Sequence, residues 1–257
     1  MKRRQLIGYA GAGLITAIVT NLGDQVPVNA QSSGVSIQWL GHTCFLLTNG
    51  KVKILINPFS NLGCTAKYRL PNVASDLVLI SSQLLDEGAI DKIPGNPKLV
   101  YKPGVYEFRG VKFQGITTDH DRKGGKQFGQ NIAWKLNQGG INLLHLGGSA
   151  APITLEQKIL MGRPDVLFIP VGGSDKAYNH QEAKQAIDVL NPKLVIPTHY
   201  RTQAAESGKC DITPVDDFLT LMQSVNINVR RSNNDSVLVN SQSLPEKTEV
   251  QLLSYKF

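Results

Sequence analysis

Apolar and polar positions along this chain change rhythm as it proceeds. Three short runs at 35–40, 43–48 and 51–56 are rich in Val, Ile, Leu and Phe, and are broken by Gly41-His42 and Asn49-Gly50. Asn-Gly between two such runs is a strong hairpin signal, because both residues accept the positive φ of a type I′ turn. Asp76-Leu77-Val78-Leu79-Ile80-Ser81 is a continuous apolar run of the kind a sheet buries on both faces. Further strands are expected at 98–101, 105–108, 111–117, 131–136 and 141–146, each bounded by Gly or Pro. Beyond residue 153 the pattern alternates. A helix around 155–161, a strand at 166–170, a helix around 181–190 and a strand at 194–197 precede a helix near 215–225 and two or three terminal strands. Hairpins followed by helix–strand alternation predict two packed sheets with helices outside, an α/β (α+β) fold. Residues 31–257 hold no Ser/Gly/Pro linker and no repeat, so one domain is expected there.

The first 30 residues read differently. Met1-Lys2-Arg3-Arg4 is a basic start, an apolar segment from Leu6 to Val19 follows, and Val28-Asn29-Ala30 offers a small-residue cleavage site. The paired arginines resemble a twin-arginine signal, and Gly8, Gly11 and Gly13 keep the segment only mildly hydrophobic. About 14 helical residues would span only ~21 Å, short of the ~30 Å hydrocarbon core, which favours a cleaved leader over an anchor. The expectation is export to a periplasm or thylakoid-lumen-like compartment, with no stable membrane span after cleavage.

Composition narrows the partners. With 41% hydrophobic and 18% charged residues the chain is no disordered polymer. The net charge of +7 includes +2 from Lys2, Arg3, Arg4 and Asp24, leaving +5 after residue 30. That mild basicity suits an anionic small molecule or an acidic protein surface, and without a basic run it does not point to nucleic acid. Cys44, Cys64 and Cys210 have no CxxC spacing, so three buried thiols is the preferred reading; at most one bridge could form, its pairing open.

Nucleophile elbows and P-loops are absent, and five histidines remain, four of them (His42, His120, His145, His199) at ends of expected strands. Trp39-Leu40-Gly41-His42-Thr43-Cys44-Phe45-Leu46 followed by Ile54-Leu55-Ile56-Asn57-Pro58-Phe59 resembles the opening of the metallo-β-lactamase superfamily, in its branch of L-ascorbate-6-phosphate lactonase-like hydrolases. Later blocks keep the family's order: Asp76 to Ser81, Leu144-His145-Leu146-Gly147-Gly148-Ser149, Pro164 to Gly173, and Leu194-Val195-Ile196-Pro197-Thr198-His199-Tyr200. The resemblance covers roughly residues 35–202 and implies a four-layer αββα sandwich.

It also implies a degenerate metal site. The family's His-x-His-x-Asp-His signature falls on Ser82-Gln83-Leu84-Leu85-Asp86-Glu87, so Asp86 is kept while Ser82, Leu84 and Glu87 stand where the family has histidines. Its next ligand matches His120, its bridging Asp is Gly148, and its final His matches His199. The first zinc would need Leu84, which has no ligating atom. Asp86, Glu87 and His199, with His120 beside them, are left to hold at most one divalent ion, weakly, leaning from Zn towards Mn as carboxylates replace imidazoles. Asp86 is the catalytic candidate if the protein is active. The blander readings are that Asp86-Glu87-Gly88 opens a helix, that His120 is a surface or hydrogen-bonded residue, that His199 is a buried relic, that His145 is packed or hydrogen-bonded, and that His180 begins a helix.

Basic residues suggest a second element. His42 near the pocket mouth, Arg122, Lys123 and Lys126 on the Gly124-Gly125 loop, and Arg201 after His199 could together receive an anion; solvated loop charge is the alternative. The leading expectation is therefore an exported, non-catalytic ligand-binding or assembly protein on a hydrolase fold, binding no cofactor or one weak ion. The alternative is a single-metal hydrolase of an anionic ester, lactone or phosphoester. Fold alone decides neither.

Overall fold

The computed structural model describes residues 34–257; the leader expected over residues 1–30 and its site at Val28-Asn29-Ala30 lie outside the described residues. In chain order the described strands are β1 (Val35–Gly41), β2 (Cys44–Thr48), β3 (Lys53–Ile56), β4 (Leu77–Leu79), β5 (Lys98–Val100), β6 (Gly104–Phe108), β7 (Val111–Asp119), β8 (Gln130–Gln138) and β9 (Ile141–His145). Helix α1 (Leu155–Met161), β10 (Val166–Pro170), α2 (His180–Leu190), β11 (Leu194–Thr198), α3 (Asp216–Ser224), β12 (Asn228–Arg231), β13 (Ser236–Val239) and β14 (Glu249–Leu252) follow.

Two sheets result. One has the order β13-β1-β2-β3-β4-β5, the other β12-β14-β11-β10-β9-β8-β7-β6. The Asn49-Gly50 turn joins β2 to β3 as the sequence predicts, pairing Phe45 with Ile56 and Leu47 with Ile54. The parallel strands β10 and β11 run in register from Val166–Leu194 to Pro170–Thr198. They are buried along their whole length, which explains their unbroken apolar sequence. Ile37, Phe45, Ile54, Leu77 and Leu79 of the first sheet share a core with Trp134, Leu143, Phe168 and Ile196 of the second.

The outer layers differ in kind. The three helices of the described residues make their main contacts with the eight-stranded sheet or with one another. α2 is well begun: Asn179 caps it, accepting from the backbone N–H of Gln181 and Glu182, and His180 is its first residue. Over the six-stranded sheet the layer is mostly loop. Leu55, Val78 and Ile80, which alternate with the core residues, pack there against Phe59, Tyr68, Val73, Ile93 and Ala204. No helix follows Asp86-Glu87-Gly88, which lie in a tight turn after β4. The expectation of three buried thiols is corrected: Cys64 and Cys210, 146 residues apart, form a disulfide, and only Cys44 is a free, buried thiol among the described residues. The two partners sit in loops of this outer layer, where no periodic pattern could have paired them.

Candidate active site

Six segments leaving strand ends meet at one edge of the sandwich. His42 follows β1, the Ser81 to Gly88 turn follows β4, His120 follows β7, Gly147-Gly148 follows β9, the Gly172 to Lys176 loop follows β10, and His199 follows β11. Carboxyl ends of parallel strands are where such sheets leave room for ligands. Local backbone there is unusual. His42, Asn57 and His199 have φ of 51°, 50° and 50°, the left-handed region that side chains other than glycine rarely adopt, at about 1–3 kcal/mol each. Hydrogen bonds hold them in place. The His42 carbonyl accepts from the Trp39 indole at 3.0 Å, and the Asn57 side chain accepts the Ser81 N–H at 2.8 Å.

His42, Asp86 and His199 converge so that one ligating atom from each lies within 4.8 Å of the others. The two imidazole rings are 4.3 Å apart between centroids. Burial pushes His42 down to about 4, against the opposing pull of Asp86, and drives His199 well below its ordinary value. Both are therefore neutral near pH 7, as ligands must be. Burial alone would raise Asp86, but the Lys176 ammonium bonded to its Oδ2 outweighs it and holds the carboxyl at about 2. One carboxylate and two neutral imidazoles result.

Behind them lies a second pair. His120 Nε2 and Glu87 Oε2 are 3.7 Å apart, and both side chains are buried. Burial, and then the charge of Asp86, raise Glu87 to about 8, while burial and Lys176 lower His120 to about 4. At neutral pH this is a protonated acid beside a neutral imidazole and not an ion pair. Gly148 makes room for it: a Cβ there would stand 2.3 Å from His120 Nε2 and 3.1 Å from Glu87 Oε2.

Buried polar atoms without a protein partner concentrate here: both ring nitrogens of His42 and of His120, both carboxyl oxygens of Glu87, and Nδ1 of His199. Such atoms are nearly always satisfied in folded proteins, so their clustering marks a place for a ligand. A carboxylate with two imidazoles suits a divalent first-row ion. His42, Asp86 and His199 fit one such ion.

Residues 36–199 match the family model described as a beta-lactamase superfamily domain. The chain belongs to that superfamily. A UPF0173 metal-dependent hydrolase of Thermoplasma acidophilum is 24% identical over 196 residues, covering 65% of this chain and 84% of that protein. Its counterpart in Carboxydothermus hydrogenoformans is 27% identical over 198 residues, with 65% and 85% covered. A crystal structure from Thermotoga maritima, assigned to the Zn-dependent hydrolases of the metallo-β-lactamase superfamily, superposes with a TM-score of 0.68. It is 32% identical, covering 85% of this chain and 98% of that one.

In this superfamily member a cavity of about 410 Å³ opens onto the three converging groups. His42, Asp86, His199 and Lys176 line it together with Leu62, Leu84, Leu85, Phe128 and Ile212, and Cys64, Lys209 and Asp211 complete the wall. Glu87 and His120 do not line this cavity. Of the residues expected at the metal, Asp86, Glu87, His120 and His199 are all brought to this edge of the sheets. His42, expected as an anion contact, stands beside Asp86 and His199. Ser82 is buried and accepts the Leu84 N–H at 3.2 Å, while Leu84 contributes only an apolar wall.

The basic residues are placed elsewhere. Arg122 forks onto Glu182, at 2.7 and 2.6 Å, and also donates to the carbonyls of Ser174 and Ala177. Lys123 bonds Gln127, and Lys126 and Arg201 are exposed; none of the four lines the cavity. His145 is hydrogen-bonded, with Nε2 on the Thr43 carbonyl and Nδ1 accepting from Gly147.

Sequence reasoning missed two residues. Asp121 accepts four backbone N–H groups, from Lys123, Gly125, Gln127 and Phe128, which hold its carboxyl down at about 2 and fold the loop that carries Arg122. Lys176 is the other. The available signal was a lysine in the Gly-rich stretch after a buried strand, at the strand end where sheets of this kind gather functional groups.

Proposed function

We propose that this chain is an exported hydrolase of an anionic ester, lactone or phosphoester that works with a single divalent ion, in the ascorbate-6-phosphate lactonase-like branch. The convergence of His42, Asp86 and His199 in the lining of a cavity carries this reading. The relatives named metal-dependent hydrolases support it. It reverses the expectation of a non-catalytic role, because a relic site has no reason to keep two neutral imidazoles and an ionised carboxylate aimed at one point. Leu84 and Gly148 have no ligating atom and the Ser82 hydroxyl is engaged by the Leu84 N–H, so the motif is read as degenerate and the site as mononuclear.

An ion there supplies Lewis-acid charge to a carbonyl or phosphoryl oxygen. The chain's own groups do the rest. Leu62, Leu84, Leu85, Phe128 and Ile212 give the substrate's body an apolar wall, and Lys176 supplies positive charge for its anionic part once Asp86 is held by an ion. Glu87 and His120 lie behind the three ligands without touching the cavity. Export is supported by the leader pattern and by the Cys64–Cys210 bridge, since such bridges persist in oxidising compartments.

The test is calorimetric titration of the purified, chelator-treated protein with Zn²⁺ and Mn²⁺, followed by assay on aryl esters, lactones and phosphoesters. One equivalent is expected to bind, and His199→Ala is expected to lower ion affinity and hydrolysis together by at least ~100-fold, beyond the usual cost of losing a supporting group. A protein that binds no ion and hydrolyses none of these substrates would overturn the reading and restore the non-catalytic one.

A further inference from the structure

Lys176 sits on the same carboxylate that the single-ion reading assigns to the metal. Its ammonium bonds Asp86 Oδ2, with both side chains about one-fifth exposed at the cavity wall. Surface lysines usually roam, but this one is carried by a fixed loop. Ser174 is held at φ 76°, and Gly173 donates its N–H to the Tyr178 carbonyl. Arg122 binds the Ser174 carbonyl at 2.8 Å and the Ala177 carbonyl at 3.0 Å, one on each side of Lys176. Glu182 fixes Arg122 in turn from the first turn of α2, and its Oε2 also accepts the Asn179 N–H. The clamp places a positive charge where a half-buried carboxylate would otherwise be unpaired.

We propose that Lys176 is a tethered cation that competes with a divalent ion for Asp86, so that metal loading requires the ammonium to give up this carboxylate. The inference rests on the single-ion reading of His42, Asp86 and His199. Without an ion, Asp86 and Lys176 neutralise each other, and the three converging ligands carry no surplus negative charge to attract a dication. An ion bound by His42, Asp86 and His199 would lie within a few ångströms of the ammonium, in surroundings that screen charge far less than water does. Arg122 acts here as a positioning residue, through the loop and not through any contact with the ion.

The competition predicts an affinity that rises when charge is removed. Zn²⁺ and Mn²⁺ titrations would compare the wild type with Lys176→Met, Lys176→Gln and Lys176→Arg. Both neutral variants are expected to bind at least tenfold more tightly, and the arginine variant to stay within about threefold of the wild type. Thermal unfolding supplies a second readout: without metal the neutral variants should melt below the wild type, and added Zn²⁺ should raise their midpoint more than it raises the wild type's. Lys176→Gln keeps an N–H donor for Asp86, so it is the variant to read if Lys176→Met folds poorly. Unchanged or weaker binding in both neutral variants, with one equivalent still bound by the wild type, would overturn the competition and leave the single-ion reading intact. Tight binding in the variants alone would support the competition while removing the single-ion role from the wild type. Binding by none of the four proteins would overturn both.

Discussion

Asp86 and Glu87 are consecutive in the chain and chemically alike, yet they end in opposite states. Asp86 reaches the cavity, meets the Lys176 ammonium and is ionised at any ordinary pH. Glu87 turns inward among unpartnered groups, where burial outweighs everything else and keeps its proton to about pH 8. Asp121 makes a third case: it is held as an anion by four backbone N–H groups and no cation at all. Residue type therefore says little about charge at this edge of the sheets. What decides is whether a partner exists to replace the water that folding removed.

The sharpest way to break that contrast is through pH. A carboxyl raised from 4.5 to about 8 on folding keeps a proton that the unfolded chain gives up. Its contribution to stability is fully present below pH 4.5 and is lost as pH rises towards 8. Glu87→Gln, which imitates the protonated acid, should remove this downward slope between those limits. Urea unfolding of both proteins across that range measures it, and parallel curves would mean that Glu87 is ionised in the fold.

A smaller effect is expected from Gly148→Ala. The new methyl would meet His120 Nε2 at 2.3 Å, so the His120–Glu87 pair must move. Overpacking of this kind typically costs ~1–3 kcal/mol, read as a lower urea midpoint with an unchanged slope. An unaltered midpoint would mean that the pair is loosely held. The smallest effect should come from Asp121→Asn, which keeps two of the four acceptor directions at best. Because Asp121 is depressed from 3.8 to about 2, its contribution is present above pH 3.8 and fades as pH falls towards 2. The variant should be less stable than the wild type near neutrality, and the two should converge in acid. A gap that persists undiminished as pH falls through 2 would assign the loop's order to something other than this carboxylate.

Much of the fold was legible. α1 and β10 fall at the expected residues, and the Asn49-Gly50 hairpin forms, because each is specified by neighbours a few residues away. Strand β4 is shorter than its apolar run, since Ile80 and Ser81 already turn towards the site. The site was legible in part. His120, His199 and Asp86 lie at ends of strands whose order could be matched block by block. Arg122 was read from charge as a ligand contact, whereas its partners Glu182, Ser174 and Ala177 are more than 50 residues away, a distance at which no local pattern speaks. The same holds for Lys176, 90 residues from Asp86, and for the cysteine pairing.

The cross-link between Cys64 and Cys210 has a dynamic consequence. It joins two stretches of the loop layer that also supply Leu62, Lys209, Asp211 and Ile212 to the cavity wall. Apart from a single 3₁₀ turn at Gly63–Thr65, these stretches belong to no helix or sheet, so few repeated hydrogen bonds protect them. Segments of this kind open at the lowest free energies in a folded protein. With the bridge intact, their amide hydrogens should exchange together and more slowly than in the reduced protein. After mild reduction they should exchange first, while β10 and β11 beneath the site remain protected. The two halves of the cavity wall are thus tied to each other by one bond between sulfur atoms, with only the Lys67 N–H to Ala204 and Glu206 N–H to Gly63 backbone bonds to support it among the described residues.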